Sequence, residues 1–148
     1  MISHDQPAVP ATALAPAARV AGVLLLAEAL TFGVASYLHL DGRIPLGFGT
    51  VTGEHFPDAA APEAIIGAVV AAGAVLLLAG VRWARRAALV VAGFAIAGTA
   101  VGIGAVTSSG RPDITADLTY HAAIMAALLV TFVLLLRLPR SGQRDRSR

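Results

Sequence analysis

The stretch "PEAIIGAVVAAGAVLLLAGVRWARRAALVV", residues 62–91, decides the fold class of this chain. It holds a long apolar run, a short turn with three arginines, and the start of a second apolar run. An α-helix needs about 20 predominantly apolar residues to cross the hydrocarbon core of a bilayer. The turn is too short for anything but a tight reversal. The stretch therefore predicts two antiparallel membrane-spanning helices joined at one membrane surface.

The composition of the whole chain is that of an integral membrane protein. Its 148 residues suit a single domain, and 57% of them are hydrophobic whereas only 14% are charged. There is no cysteine, which excludes disulfides, thiolate catalysis and cysteine-ligated metal sites. The net charge of +2 comes from arginines beside the apolar runs and near the C-terminus, so it indicates membrane topology rather than nucleic-acid binding. The expected partner is the lipid bilayer.

The remaining hydropathy pattern predicts an all-α, integral membrane four-helix bundle with antiparallel up-down connections. The predicted spans are residues 17–40, 62–81, 84–107 and 118–138. Residues 1–16 are proline-rich and predict a disordered tail, residues 41–61 an outer loop, and residues 139–148 a basic cytoplasmic tail. Pro62 suits the first position of the second helix, where its missing N–H has no partner to lose. No small-residue cleavage site follows the first run, so we expect a retained helix rather than a signal peptide.

The arginines predict the orientation of the bundle. With four spans both termini lie on one side of the membrane, and nine of the eleven arginines then lie on that side. Only Arg43 and Arg111 lie on the other side. Arginine is enriched in cytoplasmic loops next to membrane spans. We therefore expect both termini in the cytoplasm, residues 41–61 outside, and the protein in the cell (inner) membrane.

Glu28 is the one acid near the centre of a predicted span. A carboxylate at that depth costs roughly 3 kcal/mol on insertion scales and usually faces the bundle interior or a cavity. Glu28 is therefore a candidate catalytic or ligand-binding acid. The alternative is a protonated side chain that bonds a neighbouring helix, for example at Thr99 or Thr131.

Three of the four histidines and six of the nine acids are predicted at the outer membrane surface. His39 follows Glu28 by eleven residues, which returns it to nearly the same helix face, and Thr31 falls on that stripe. Tyr120 and His121 open the fourth span at a similar depth, and the first and fourth helices of such bundles are commonly neighbours. We therefore expect one ligand-binding site with these residues: Glu28, Thr31, His39, Glu63, Tyr120 and His121.

Several interpretations of these side chains stay open. Imidazole near neutral pH serves acid–base chemistry or metal ligation, so His39 and His121 join Glu28 as catalytic candidates. The alternative is that these histidines bond loop carbonyls at the membrane surface. His39, His121 and Glu63 are the candidate metal ligands, but their spacing matches no metal motif, so no metal is expected. Glu63 would also suit the first turn of its helix, where a negative charge is stabilised by the helix dipole.

The loop between the first two spans is expected to fold over the outer mouth of the bundle and to bring His39 near Tyr120 and His121. A loop at membrane depth is tolerated only against protein or a water-filled cavity. The ends of this loop are charged, whereas its middle is apolar, with Ile44, Pro45, Leu46 and Phe48. Docking of the middle on the bundle would bury its apolar side chains while the charged ends stay in water.

The plan resembles the DoxX-like small four-helix bacterial membrane proteins. The resemblance is carried by "ARVAGVLLLAEALTFGVASYLHL", residues 18–40, and by residues 62–91, and it covers roughly residues 17–138. Members of that group are linked to quinone-coupled sulfur oxidation or to membrane redox-stress complexes. The resemblance therefore implies a quinone-like ligand and a membrane redox complex as partner. The alanine-rich, lysine-free composition is similar to that of actinobacterial proteins.

Two functions of different classes follow from these observations. The favoured one is an accessory membrane subunit that binds a lipophilic, quinone-like ligand at its outer face, within a redox complex or a homo-oligomer. The alternative is a membrane-embedded enzyme that acts on a lipophilic substrate through Glu28, His39 and His121. An outward-open cavity lined by Glu28, both histidines and Tyr120 would favour a binding site or an enzyme. Glu28 packed against a threonine would favour a scaffold.

Overall fold

The computed structural model describes residues 15–53 and 55–139, and these are mostly helical. It has four helices, α1 (Pro16–Leu38), α2 (Pro57–Leu78), α3 (Ala84–Ser108) and α4 (Thr115–Arg137), and two strands, β1 (Arg43–Pro45) and β2 (Thr50–Thr52). All four helices are long and apolar enough to cross a membrane, which confirms the predicted number of long apolar helices. The predicted tails, residues 1–16 and 139–148, lie almost wholly outside the described residues.

The second helix begins five residues earlier than predicted, at Pro57 rather than at Pro62. Pro57 occupies the first turn, where the missing N–H has no intrahelical partner, and Pro62 lies inside the helix. Both prolines are compatible with a helix start, and the residues between them include three alanines, which favour the helix. The correction moves Glu63 from the first turn of its helix to the second.

The helices form a closed ring in which α1 packs against α2 and α4, and α3 packs against the same two helices. Small residues let the backbones approach, and Ala74, Ala88 and Ala92 are completely buried. Gly67 of α2 faces α1 so closely that an added Cβ would lie 3.1 Å from the carbonyl oxygen of Ala29. Close backbone approach therefore holds the bundle together alongside the large buried side chains of Leu25, Leu128 and Leu135.

The loop after α1 is a β-hairpin rather than a lid. β1 and β2 pair antiparallel with Arg43 opposite Thr52. The side chain of Phe48 is 91% exposed and that of Leu46 is 46% exposed, so the predicted docking of the apolar middle on the bundle is wrong. The hairpin satisfies backbone hydrogen bonds within itself, which removes the need to dock. Only its base meets the bundle, where Gly53 packs against the end of α1.

The opposite end of the bundle is fixed by the turn between α2 and α3 and by Arg85. The guanidinium of Arg85 donates hydrogen bonds to the carbonyl oxygens of Leu135 (2.9 Å) and Leu136 (3.0 Å) in the last turn of α4. A cation at a helix C-terminus satisfies free carbonyls and complements the helix dipole. We refer to this end, with residues 79–86, as the arginine end, and to the other, with residues 39–56, as the hairpin end.

Candidate ligand-binding site at the hairpin end

A histidine and a glutamate from neighbouring helices meet at the hairpin end. His39 directly follows α1, and its Nε2 atom lies 3.5 Å from Oε2 of Glu63 in α2. The two side chains are only 12% and 8% exposed. The separation suits an electrostatic attraction but is too long for a strong hydrogen bond. Glu63 is thus a buried partner of His39, which corrects the interpretation of Glu63 as a first-turn acid.

The fourth helix adds Tyr120 and His121. Their rings are in edge contact with centroids 5.0 Å apart, and the Tyr120 hydroxyl interacts electrostatically with Glu63. Nδ1 of His121 donates a hydrogen bond of 2.7 Å to the carbonyl oxygen of Asp117, so this nitrogen carries the proton. The Nε2 edge of the ring lies against Gly102 of α3, where an added Cβ would be only 2.6 Å away. Gly102 therefore makes room for the imidazole.

Three side chains of this cluster have polar atoms whose hydrogen bonds are unmet. Nδ1 of His39, Oε2 of Glu63 and the hydroxyl of Tyr120 are buried and have no hydrogen-bond partner among residues 15–53 and 55–139. An unsatisfied buried polar group costs about 1–3 kcal/mol, so such groups are rare and need a reason. Three of them at one point of the bundle indicate a place built to receive the polar group of another molecule.

Two hollows meet at this cluster. A cavity of about 200 Å³ lies between the hairpin-end halves of α2 and α3, and we call it the apolar cavity; its lining includes His39, Glu63, Ile66, Gly102, Val106 and His121. A groove of about 540 Å³ runs between α1 and α4, and we call it the polar groove; its lining includes Thr31, His39, Thr52, Arg111, Asp113 and Tyr120. His39 and Asp117 line both hollows, so they stand at the boundary between them.

The loop that joins α3 to α4 borders the site. Arg111 donates to the Asp117 carboxylate at 2.8 Å, and its guanidinium stacks over the ring of Phe56 at 5.6 Å. Phe56 in turn meets the His39 ring edge-on at 5.9 Å. The sequence places both Arg111 and Asp117 at this end of the bundle, and the two residues are only six positions apart. Phe56 gives no spacing signal, because its partners His39 and Arg111 lie 17 and 55 positions away in the chain.

Glu28 lies apart from this cluster. It is 4% exposed, its Oε1 accepts a hydrogen bond of 2.6 Å from the Thr131 hydroxyl of α4, and it lines neither hollow. This is the alternative foreseen for Glu28, a hydrogen bond to a neighbouring helix. Thr99 instead bonds the Ala95 carbonyl within its own helix.

The structure therefore divides the predicted site residues into three groups. His39, Glu63 and His121 share the apolar cavity, and Thr31, His39 and Tyr120 share the polar groove. Glu28 belongs to the helix packing. No group of three or more His, Cys, Asp or Glu side chains in the described part of the chain is arranged to hold a metal ion.

The contact with Glu63 raises the pKa of His39 above its ordinary value. Burial acts in the opposite direction, the charges of Glu63 and Asp117 add to the rise, and the charge of Arg111 opposes it. The net effect shifts the imidazole towards its imidazolium form, in which both ring nitrogens donate. In that form Nδ1 of His39 is a charged donor, and it has no hydrogen-bond partner among the described residues.

We expect this imidazolium to make folding stability depend on pH. A histidine whose pKa is raised on folding stabilises the protein fully below its unfolded pKa of about 6.5, and this stability is lost as pH rises through the folded value. Thermal unfolding in detergent between pH 5.5 and 8.5 measures the effect, as a midpoint that falls with rising pH. His39→Gln should flatten this part of the curve.

His55→Gln is the matched control for the pH experiment. His55 also contacts a carboxylate, Oδ2 of Asp41 at 2.6 Å, but both side chains are more than 60% exposed. An exposed pair is screened by solvent and contributes little to stability. Loss of the pH dependence in His55→Gln but not in His39→Gln would contradict the assignment.

The chain was compared with family models, curated proteins and solved structures. No family model matches the chain, and neither the search of curated proteins nor that of solved structures found a match. The chemistry of the site is therefore the basis for its function.

Proposed function

We propose that this protein is a DoxX-like accessory membrane subunit that binds a lipophilic, quinone-like molecule at the hairpin end of its bundle. One observation carries the proposal: His39 and Glu63, which have unmet hydrogen-bonding atoms, line an apolar cavity, and Tyr120, whose hydroxyl is also unmet, lines the adjoining polar groove. Ligand sites are typically apolar walls with a few polar groups that fix orientation. The cluster has both parts.

A quinone head matches the groups that the site offers. Its carbonyl oxygens accept hydrogen bonds, and Tyr120 and the His39 imidazolium have donors without a partner. The hydroxyls of a quinol donate instead, and the Glu63 carboxylate and Nε2 of His121 are acceptors. Ile66 and Val106 supply aliphatic walls for the faces of a ring. A cavity of about 150 Å³ is known to hold benzene, so about 200 Å³ suits a substituted ring.

The enzyme alternative would need Glu28 beside both histidines. Glu28 instead pairs with Thr131 and lines neither hollow. The polar cluster at the hairpin end therefore supports binding of a ligand, while Glu28 supports association of α1 with α4.

Binding of decylubiquinone to purified protein in lipid nanodiscs tests the proposal. We expect saturable binding of one molecule per chain, and a quinone in the organic extract of the protein isolated from its native membrane. Glu28→Gln is the control, because glutamine keeps an acceptor for Thr131 and the residue lies outside both hollows; it should bind as the wild type does. Absence of saturable binding in the wild type would overturn the proposal.

We further propose that the arginine end faces the cytoplasm, so that both termini are inside the cell membrane and the ligand site is outside. Support comes from the arginine excess at that end. The exposed apolar faces of the helices, for example Val90 at 70% and Leu136 at 52%, suit lipid or a membrane partner such as a redox complex or a second copy.

Single cysteines test the orientation. Phe48→Cys places a thiol at the 91% exposed tip of the hairpin, and Ser141→Cys places one in the C-terminal tail beyond the described residues. The chain has no other cysteine. A membrane-impermeant maleimide should label the Phe48 variant in intact cells and the Ser141 variant only after lysis. Labelling of both in intact cells would contradict the topology.

A further inference from the structure

Residues that line the apolar cavity are also exposed on the surface of the bundle. Val101 of α3 lines the cavity and is 73% exposed. Pro62 of α2 and Ala105 of α3 line it as well and are exposed. A side chain that borders a cavity and also faces outward marks an opening. The apolar cavity therefore opens sideways, between α2 and α3.

The positions of small residues explain why the helices part here. α2 and α3 are joined at the arginine end by the short turn of residues 79–83, which holds them together there. Towards the hairpin end α3 carries Gly98 and Gly102, whose missing side chains are replaced by the Ile66 side chain and the His121 ring. Those groups fill the interior and leave the surface between the two helices thinly covered.

The openings of the two hollows differ in chemistry. The polar groove is bordered by Thr31, Thr52, Arg111 and Asp113, of which the two threonines and Asp113 are exposed. The opening of the apolar cavity is bordered by Val101, Pro62 and Ala105, on segments that are long and apolar enough to lie in a membrane, and the exposed Asp58 in the first turn of α2 lies at its hairpin-end margin. Water suits the first opening and lipid tails suit the second.

Size decides how a ligand with a tail would lie. A cavity of about 200 Å³ holds a ring and its substituents, whereas drug-sized ligands need about 300–1,000 Å³. A tail attached to that ring must leave the cavity. The sideways opening lets it leave into a solvent of its own polarity, while the head stays beside His39 and Glu63.

We propose that the ligand enters the apolar cavity laterally from the bilayer, through the opening between α2 and α3, with Val101 at its edge. The inference rests on the proposed function, and it names the ligand class as a membrane-dissolved molecule whose apolar tail stays in the lipid. Val101 is an entrance residue: a larger side chain there blocks passage without touching the polar cluster.

Tryptophan at position 101 tests the route. In nanodiscs Val101→Trp should slow the association of decylubiquinone at least tenfold, whereas Val90→Trp should match the wild type. Val90 is the matched control because it is 70% exposed on the same helix and does not line the cavity. Val101→Ala, which widens the opening, should bind faster than the wild type, and an unchanged rate in this variant would count against lateral entry even if the tryptophan variant misfolds.

The outcomes separate the route from the function. Wild-type rates in Val101→Trp with intact wild-type binding would overturn lateral entry and leave the proposed function standing. Asp113 lines the polar groove. If Asp113→Ala slowed association and Val101→Trp left the rate unchanged, entry would be assigned to the groove instead. No binding in the wild type would overturn the proposed function and the route together.

Discussion

Replacing both His39 and Glu63 by leucine is expected to weaken binding of the quinol form, decylubiquinol, at least about 100-fold while the protein stays as stable as the wild type. The His39 imidazolium donates to a quinol hydroxyl oxygen and the Glu63 carboxylate accepts from a quinol hydroxyl, and hydrogen bonds to charged groups are worth about 1.5–3 kcal/mol. Two such losses exceed the 2.8 kcal/mol or so that corresponds to a factor of 100. Binding in nanodiscs and thermal unfolding in detergent measure the two halves of the prediction.

The stability half follows from the burial of the pair. His39 and Glu63 are 12% and 8% exposed, and their separation of 3.5 Å leaves the desolvation of both groups poorly compensated. Replacement of a buried ion pair by apolar residues of similar volume is often neutral or stabilising by about 1–4 kcal/mol. The double variant also removes two of the three unmet polar atoms in the cluster.

The single variants serve as controls for this reasoning. His39→Leu alone leaves the Glu63 carboxylate buried without its cation, which should destabilise the protein by about 3–5 kcal/mol. The double variant should regain the stability that His39→Leu loses. A double variant that unfolds as readily as the single one would assign the pair a structural role, and retained ligand affinity would exclude the pair from the site.

The number of helices follows directly from the sequence, because four apolar runs of membrane length leave few alternatives. Their ends do not. Pro57 and Pro62 suit a helix start equally well, and the helix begins at Pro57. Glu63 is a candidate for the site from the sequence alone, but its contact with His39 joins two helices and is not contained in the pattern of either one.

The sequence predicts only part of the polar site, because helical periodicity describes one helix at a time. Helical periodicity places residues on one face of one helix, as it does for Glu28 and His39, but it carries no information on the side chain opposite. Glu28 meets Thr131 across 103 positions of sequence. The apolar tip of the hairpin was mistaken for a lid, because burial of Phe48 was inferred from hydropathy although the strands satisfy their own backbone.

Replacing Gly67 by leucine is expected to destabilise the bundle by more than about 3 kcal/mol, the upper end of the usual cost of overpacking. An added Cβ at this position lies 3.1 Å from both the Ala29 carbonyl oxygen and the Cβ of Phe32 in α1. These atoms belong to the backbone or are attached directly to it, so they cannot move unless the helix moves. Leucine adds three further carbons beyond that Cβ.

Gly104→Leu is the matched control, because Gly104 lies in α3 and an added Cβ there meets nothing within 4 Å. It should be neutral or slightly stabilising, since a glycine inside a helix costs about 0.5–1 kcal/mol relative to alanine. Thermal unfolding and gel filtration in detergent distinguish the two variants. Equal stability of Gly67→Leu and Gly104→Leu would refute close packing of α1 on α2.

Gly67→Leu should also weaken ligand binding at the hairpin end. Gly67 lies about one helical turn from Glu63 on α2, and the contacts of Gly67 on α1 lie about two to three turns before His39. A leucine that forces α1 and α2 apart would therefore separate His39 from Glu63, and the loss of their contact would lower the raised pKa of His39. Gly67→Ala adds only the first carbon. It should lose less stability and less decylubiquinone binding than Gly67→Leu does.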